Sequence, residues 1–263
     1  MPTVNEILDA LLKVAPLSLA EGFDNPGFLV GRGGREVKKV LVALDITSDV
    51  VREAAEIGAE LIVSHHPVIF TPRTNVCDGD VMGNIILSMI ENNIAAICMH
   101  TNLDSARGGV NDILAEALGL SDTEVIEPKS EDPKAGLGRC GNLEQETKLC
   151  DFMDKVCKTL SVSGVKYHDA ARSVHRVCVG GGACGDFVSY AKAFGFDTIV
   201  TSDIKHNYFL EAQELGINAV DAGHFATENI VCPKIEEIIK SSFPSLSVSQ
   251  AKANVDCTDF FTI

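Results

Sequence analysis

With 263 residues, 46% of them hydrophobic and 22% charged, the chain has the balance of a globular protein with room for one large domain or two ordinary ones. Its formal net charge of −15 disfavours general binding to nucleic acid, which needs Lys and Arg clustered against phosphate. No run approaches the roughly 20 apolar residues that span a bilayer, and the nine cysteines, scattered and without a C-x-x-C pair, fit reduced thiols better than a disulfide framework or a thiolate zinc site.

Residues 3–14 place Val4, Ile7, Leu8, Leu11 and Leu12 on one helical face, with Thr3 and Glu6 at the positions of a capping box. Glu6 and Asp9 in this opening segment do not suit a secretory leader, so a cytoplasmic location and no membrane partner are expected. Residues 21–27 are turn chemistry ahead of a short strand at 28–30, and 31–34 form a glycine-rich turn without the phosphate-loop pattern. A strand at 40–44, a helix at 48–57 and a strand at 61–64 follow. Asp45 closes the first of these strands, and the second delivers Ser64-His65-His66 to Pro67, which stops it. After an irregular stretch over 69–83 come a helix at 84–91 and a strand at 94–99 that ends in His100-Thr101-Asn102-Leu103-Asp104. A helix at 110–118 is closed by Gly119.

The polar residues 121–134 are expected to connect two lobes, divided as 1–127 and 128–263. Beyond them the pattern predicts a strand near 135–139, a helix at 144–159, and strands near 165 and at 174–179. A helix at 186–194, a strand at 198–201, a helix at 207–215 and a strand at 217–221 lead to Gly223-His224. A long helix interrupted by Pro233 comes last, with strand character over 255–263.

An internal repeat organises these elements. A shift of 137 residues lays Val40 on Val177, Asp49 on Asp186, Ala54 on Ala191, Gly58 on Gly195 and Ile62 on Ile199. A shift of 123 lays Ile94 on Ile217 and Ile97 on Val220, the difference being the long loop after the double histidine. Two copies of a strand-helix-strand-helix-strand unit imply an α/β protein of two similar lobes, with mixed sheets flanked by helices.

In α/β sheets ligands gather beyond the carboxyl ends of strands, which is where His65 with His66, Asp104, and His224 with Glu228 fall. Neighbouring residues on a regular strand point to opposite faces, so His65 and His66 at a strand end are expected to diverge and serve separate ions, or else to be polar residues of a loop. His224 and Glu228 lie one helical turn apart, a half-site for Zn²⁺, Fe²⁺ or Mn²⁺ or, alternatively, a surface pair. Together the three strand ends favour a metal centre.

These residues also carry a resemblance. Ser64-His65-His66-Pro67, His100-Thr101-Asn102-Leu103-Asp104, and Asp221-Ala222-Gly223-His224 with Glu228 resemble the NIF3-like family, whose bacterial members are known as GTP cyclohydrolase I type 2 homologs or dinuclear-metal-centre hexameric proteins. The resemblance runs nearly end to end, in the short form without an inserted domain. It implies two divalent metals per subunit held by His65, His66, Asp104, His224 and a bridging Glu228, a site between the lobes, C-terminal strands that cross to the first lobe, and a ring-shaped homohexamer. Ser202 stands where relatives carry glycine before Asp203. Asp203, His206 and His100 are candidates for proton transfer, for facing substrate or for supporting the ligands. The implied function is a metal-dependent hydrolase acting on a nucleotide-like or phosphoester small molecule; the alternative is a non-catalytic metal-binding scaffold, chaperone or regulator.

Overall fold

The computed structural model describes residues 1–259, and its chain forms two compact units. One comprises Met1–Ala106 with Val231–Val255, the other Arg107–Ile230 with residues 256–259. The partition therefore falls at residues 106/107 and 230/231 rather than between 127 and 128.

The first unit opens with α1 (Val4–Val14), whose Thr3 and Glu6 make the expected capping box, and continues through β1 (Gly27–Val30) and β2 (Lys39–Ala43). Then come α2 (Ser48–Ile57), β3 (Leu61–Ser64), α3 (Val81–Glu91), β4 (Ala95–Cys98) and the short α4 (Thr101–Ser105). The second unit runs through α5 (Val110–Ala117), β5 (Leu120–Pro128), β6 (Gly136–Thr147), α6 (Leu149–Leu160), β7 (Lys166–His168) and β8 (Val174–Val179). It continues with α7 (Ala191–Phe194), β9 (Thr198–Thr201), α8 (His206–Leu215), β10 (Asn218–Asp221) and α9 (His224–Glu228). The chain then contributes α10 (Cys232–Ser242) and β11 (Ser247–Gln250) to the first unit.

The first sheet has the order β1-β4-β3-β2-β11, parallel except for β1 on the edge; the second has the order β5-β6-β8-β9-β10-β7. In the second, β8, β9 and β10 are parallel and the other pairings antiparallel. The repeat is visible in the registers. Val40 pairs with Leu61 and Val177 with Thr198, both residues displaced by 137; Leu61 pairs with Ala95 and Thr198 with Asn218, the last strand displaced by 123. Each triplet carries an antiparallel strand beside its third member, β1 on β4 and β7 on β10. The helices after the first strand of each copy end on Gly58 and Gly195, both left-handed.

The strands β2, β3, β4 and β9 are mostly apolar and buried nearly throughout, as strands covered on both faces are, whereas β8 is buried only over its last three residues and at Val174. Leu41, Ile62 and Ala96 pack with Val50, Ile86 and Met89 in the first core. In the second unit one core joins Phe152 and Val156 of α6 to Val177 and Val200, while another sets Phe187 and Ala212 against Cys178 and Ile199.

Several elements differ from the sequence expectation. Residues 121–134 are not a connection throughout: Leu120–Pro128 is an edge strand, polar because one long side of it meets solvent, with Ile126 alone deeply buried. The strand expected to end near 139 runs on to Thr147, and its helix begins only at Leu149. The helix expected over 186–194 is a 3₁₀ segment, Gly185–Tyr190, followed by one α turn. The final long helix is broken into α9 and α10, with Pro233 in the first turn of α10, where its missing N–H costs nothing. The strand character of 255–263 is not realised over 255–259, and the rest lies outside the described residues.

Candidate metal centre

In the first unit three imidazoles collect beyond β3 and β4. His65 is wholly buried, and its Nδ1 lies 2.8 Å from the Met99 carbonyl. A carbonyl only accepts, so Nδ1 carries a proton and Nε2 is the nitrogen left to face a ligand. That Nε2 is 3.5 Å from Asp104 Oδ1. His66 Nδ1 donates to Asp45 Oδ1 at 2.8 Å, and His100 Nδ1 to Asp24 Oδ1 at 2.7 Å. The ligand atoms of His65, His66 and His100 all fall within 4.8 Å of one another.

His65 and His66 do not splay apart as a strand would require. Their backbone N–H groups still donate to the Ala43 and Leu44 carbonyls, at 3.2 and 2.9 Å. Ser64 Oγ meanwhile donates to the His66 carbonyl at 2.7 Å, in the bend where β3 has ended. The ring centroids come to 5.1 Å, and each stands 5.2–5.5 Å from His100. Such spacing suits either one ion or two adjacent ions.

Asp24 has a wholly buried side chain. Burial opposes its ionisation, but hydrogen bonds from His100 Nδ1 and Thr101, the charge of His100 and the Asn25 N–H outweigh it and hold the carboxyl at about 2. An ionised Asp24 fixes His100 from behind, as Asp45 fixes His66.

The second unit supplies His224 and Glu228 from the single turn of α9. His224 Nδ1 donates to Asp203 Oδ2 at 2.7 Å, while Nε2 lies 3.0 Å from Glu228 Oε2. Asp203 holds a left-handed backbone, φ 49°, just beyond β9. Against this pair runs the loop of Gly180, Gly181 and Gly182. Gly181 N–H donates to Asn111 Oδ1, Gly182 N–H donates to Thr227 Oγ1, and the Gly182 carbonyl accepts from Thr201 Oγ1. A Cβ at Gly182 would sit 2.2 Å from Glu228 Oε1 and 3.3 Å from His224 Nε2, so only glycine lets the loop approach the carboxylate this closely.

The donor chemistry fits a metal. At His224 both ring nitrogens lie beside carboxylate oxygens, an arrangement in which a metal ion on Nε2 would sit between imidazole and the Glu228 carboxylate. His65 shows the same pairing of Nε2 with a carboxylate oxygen. Imidazole nitrogens backed by acceptors, with carboxylate oxygens beside them, suit Zn²⁺, Fe²⁺ or Mn²⁺. Burial pushes the Cys98 thiol well above its usual range and Cys232 up to about 12, and the clustered ligand atoms are all from histidine and carboxylate side chains.

Each expected site residue is therefore placed by its own unit: His65, His66, His100 and Asp104 in the first, Asp203, His224 and Glu228 in the second. His206 is exposed at the start of α8 and joins none of these hydrogen bonds. Sequence reasoning missed the acceptors Asp24 and Asp45 and the Met99 carbonyl. Asp45 had a signal, standing at the end of a strand beside the histidine strand; Asp24, in a turn of ordinary composition, had none.

The Duf34/NIF3 (NGG1p interacting factor 3) family model matches residues 2–257. A "GTP cyclohydrolase 1 type 2 homolog" of Clostridium perfringens is 35% identical, over 92% of this chain and 93% of that protein. A Streptomyces coelicolor protein of the same name is 33% identical, over 87% and 82%. Among solved structures, a Bacillus cereus protein related to NIF3 matches with a TM-score of 0.92 at 25% identity, covering 99% of each chain. Reduced HcgD from Methanocaldococcus jannaschii matches with a TM-score of 0.81 at 28% identity, covering 95% of this chain and 98% of that one.

Proposed function

Because the chain belongs to the Duf34/NIF3 family, we propose that its histidine and carboxylate cluster binds two divalent metal ions and serves a hydrolase of nucleotide-like or phosphoester small molecules. His65, His66 and Asp104 would hold the ions from the first unit, and His224 and Glu228 from the second. The observation that carries this reading is the set of three imidazoles, each with Nδ1 held by an acceptor and ligand atoms within 4.8 Å. Bound ions supply Lewis-acid activation for hydrolysis at neutral pH. The chain's own contribution is orientation. Met99, Asp45 and Asp203 hold the ligand rings, and His100, with Nδ1–H fixed on Asp24, holds or passes a proton at Nε2. The guanine nucleotide in the names of the relatives makes GTP the first substrate to try.

The test joins metal analysis to turnover. Metal-replete protein should carry about two ions per chain, His66→Ala and Glu228→Gln should lose occupancy, and Asp104→Ala should abolish hydrolysis of GTP or of bis(p-nitrophenyl) phosphate. Less than one ion per chain overturns the metal reading; full occupancy without turnover across nucleotides and phosphoesters replaces the hydrolase with a metal-binding scaffold. The ring-shaped homohexamer belongs to the same proposal, and light scattering of the intact protein tests it.

A further inference from the structure

At the other end of β4 from His100, the first unit has a cavity of about 730 Å³. Its lining combines the glycine-rich turn after β1, with Arg32 and Arg35, and an apolar side made by Ile90, Ile94 and Ala95. The volume is that of a site for a small organic molecule. The charge is what distinguishes it. In a chain of net charge −15, no carboxylate among the described residues lines this cavity. Of the eight arginines, five are in ion pairs with carboxylates among the described residues; Arg32, Arg35 and Arg172 are not.

The turn is also built rather than loose. Asn5 N–H donates to the Gly33 carbonyl at 2.9 Å, Val4 N–H to the Arg35 carbonyl at 3.0 Å, and Arg35 N–H to the Arg32 carbonyl at 3.1 Å, so the start of α1 holds the turn in shape. Gly31, at φ 111°, lies so close to β4 that a Cβ would stand 2.8 Å from that of Ala95. Arg35 Nη1 donates to the carbonyl of Asn93, itself left-handed at φ 57°, which ties one guanidinium to the rim while its other N–H groups remain available. Ile90 is 55% exposed on the opposite wall.

We propose that this cavity is a second ligand site, for a phosphorylated small molecule with a flat apolar body, of the nucleotide class. Guanidinium groups match phosphate oxygens in pairs, side-chain-free backbone lets the phosphate approach closely, and the exposed Ile90 accepts the apolar part. The site is separate from the histidine cluster: Ala95 begins β4 at the cavity, and Cys98 ends that strand two residues before His100.

Calorimetric titration of the full chain with ATP, inorganic pyrophosphate and adenosine tests it. ATP should bind best, pyrophosphate more weakly and adenosine least, with affinity falling as salt rises. Arg32→Glu, at an exposed position that leaves the fold alone, and the Arg32→Ala, Arg35→Ala pair should each weaken ATP by at least about tenfold. Ile90→Asp should weaken ATP more than pyrophosphate, and ATP should still bind to protein stripped of metal with a chelator, which separates this site from the histidine cluster. Three results overturn the proposal: no binding of ATP or pyrophosphate at millimolar concentration, ATP binding lost on metal removal but kept in Arg32→Glu, or a change of oligomeric size in Arg32→Glu that makes the cavity a contact between copies.

Discussion

Asp24 shows how much of a site can rest on a residue that would touch no ligand. Its carboxylate accepts from His100 Nδ1 and from both the N–H and hydroxyl of Thr101, so it sets a ring and the first turn of α4 together. Held at about 2 against an ordinary 3.8, it contributes on the order of 2 kcal/mol of stability. Because the folded value is the lower one, that contribution is complete above about pH 4 and is lost as pH falls through about 2. Asp24→Asn should therefore lower the stability measured by urea denaturation at pH 7 and flatten its dependence on pH between 4 and 2. A variant with the wild-type slope in that window would show that the carboxylate is not coupled to folding. Gly182 makes a second case. Gly182→Ala places a methyl group 2.2 Å from Glu228 Oε1 and also forces a non-glycine residue to φ 68°, which costs about 1–2 kcal/mol. Since the methyl displaces a carboxylate rather than a core side chain, metal affinity should fall by about 10–100-fold while the protein still folds. Metal titration alongside thermal melting reads the two effects apart, and unchanged affinity would remove Gly182 from the site.

At the scale of elements, the strands that could be read from the chain are those whose burial leaves them no choice of composition. Residues 40–43, 61–64 and 198–201 are apolar runs because both faces are covered, and the paired registers at shifts of 137 and 123 follow from that composition. Edge strands gave no such signal: β5 is charged and polar along most of its length, and Glu124 on it pairs with Arg176 instead of packing. The closeness of His65 and His66 was equally invisible, since it depends on a bend and on the acceptors Met99 and Asp45 that hold each ring. The strand β11 offers an element-scale test. It lies parallel to β2 with Ser247 opposite Lys39, buries Val248, and is followed by Lys252 and Ala253, whose N–H groups donate to Glu53. Truncation after Phe243 should expose the β2 amides to exchange at least about tenfold faster while those of β8 and β9 keep their protection. Equal loss in both sheets would mean that the two units unfold as one.

For the molecule as a whole, the nine cysteines divide by exposure in the way that a cysteine count cannot foresee. Cys77, Cys150 and Cys257 are exposed, whereas burial pushes Cys140 up to about 11 and Cys232 to about 12 and raises Cys98 and Cys178 well above the usual range. At pH 8 the thiolate fractions of Cys140 and Cys232 are then about 10⁻³ and 10⁻⁴, before any limit on access. Alkylation followed by peptide mass spectrometry should label the exposed three first and the four buried ones only on unfolding. Rapid labelling of Cys178 would contradict its place in the core. No described helix is long and apolar enough to cross a membrane.

The interrupted course of the first unit, completed only by α10 and β11, has a consequence for biosynthesis. As the chain leaves the ribosome, residues 1–106 emerge without the strand that covers β2, whereas residues 107–230 bring out every strand of the second sheet in one stretch. The later segment should thus acquire protease resistance before the earlier one does, and chains stalled near residue 230 should be cleaved first in their oldest half.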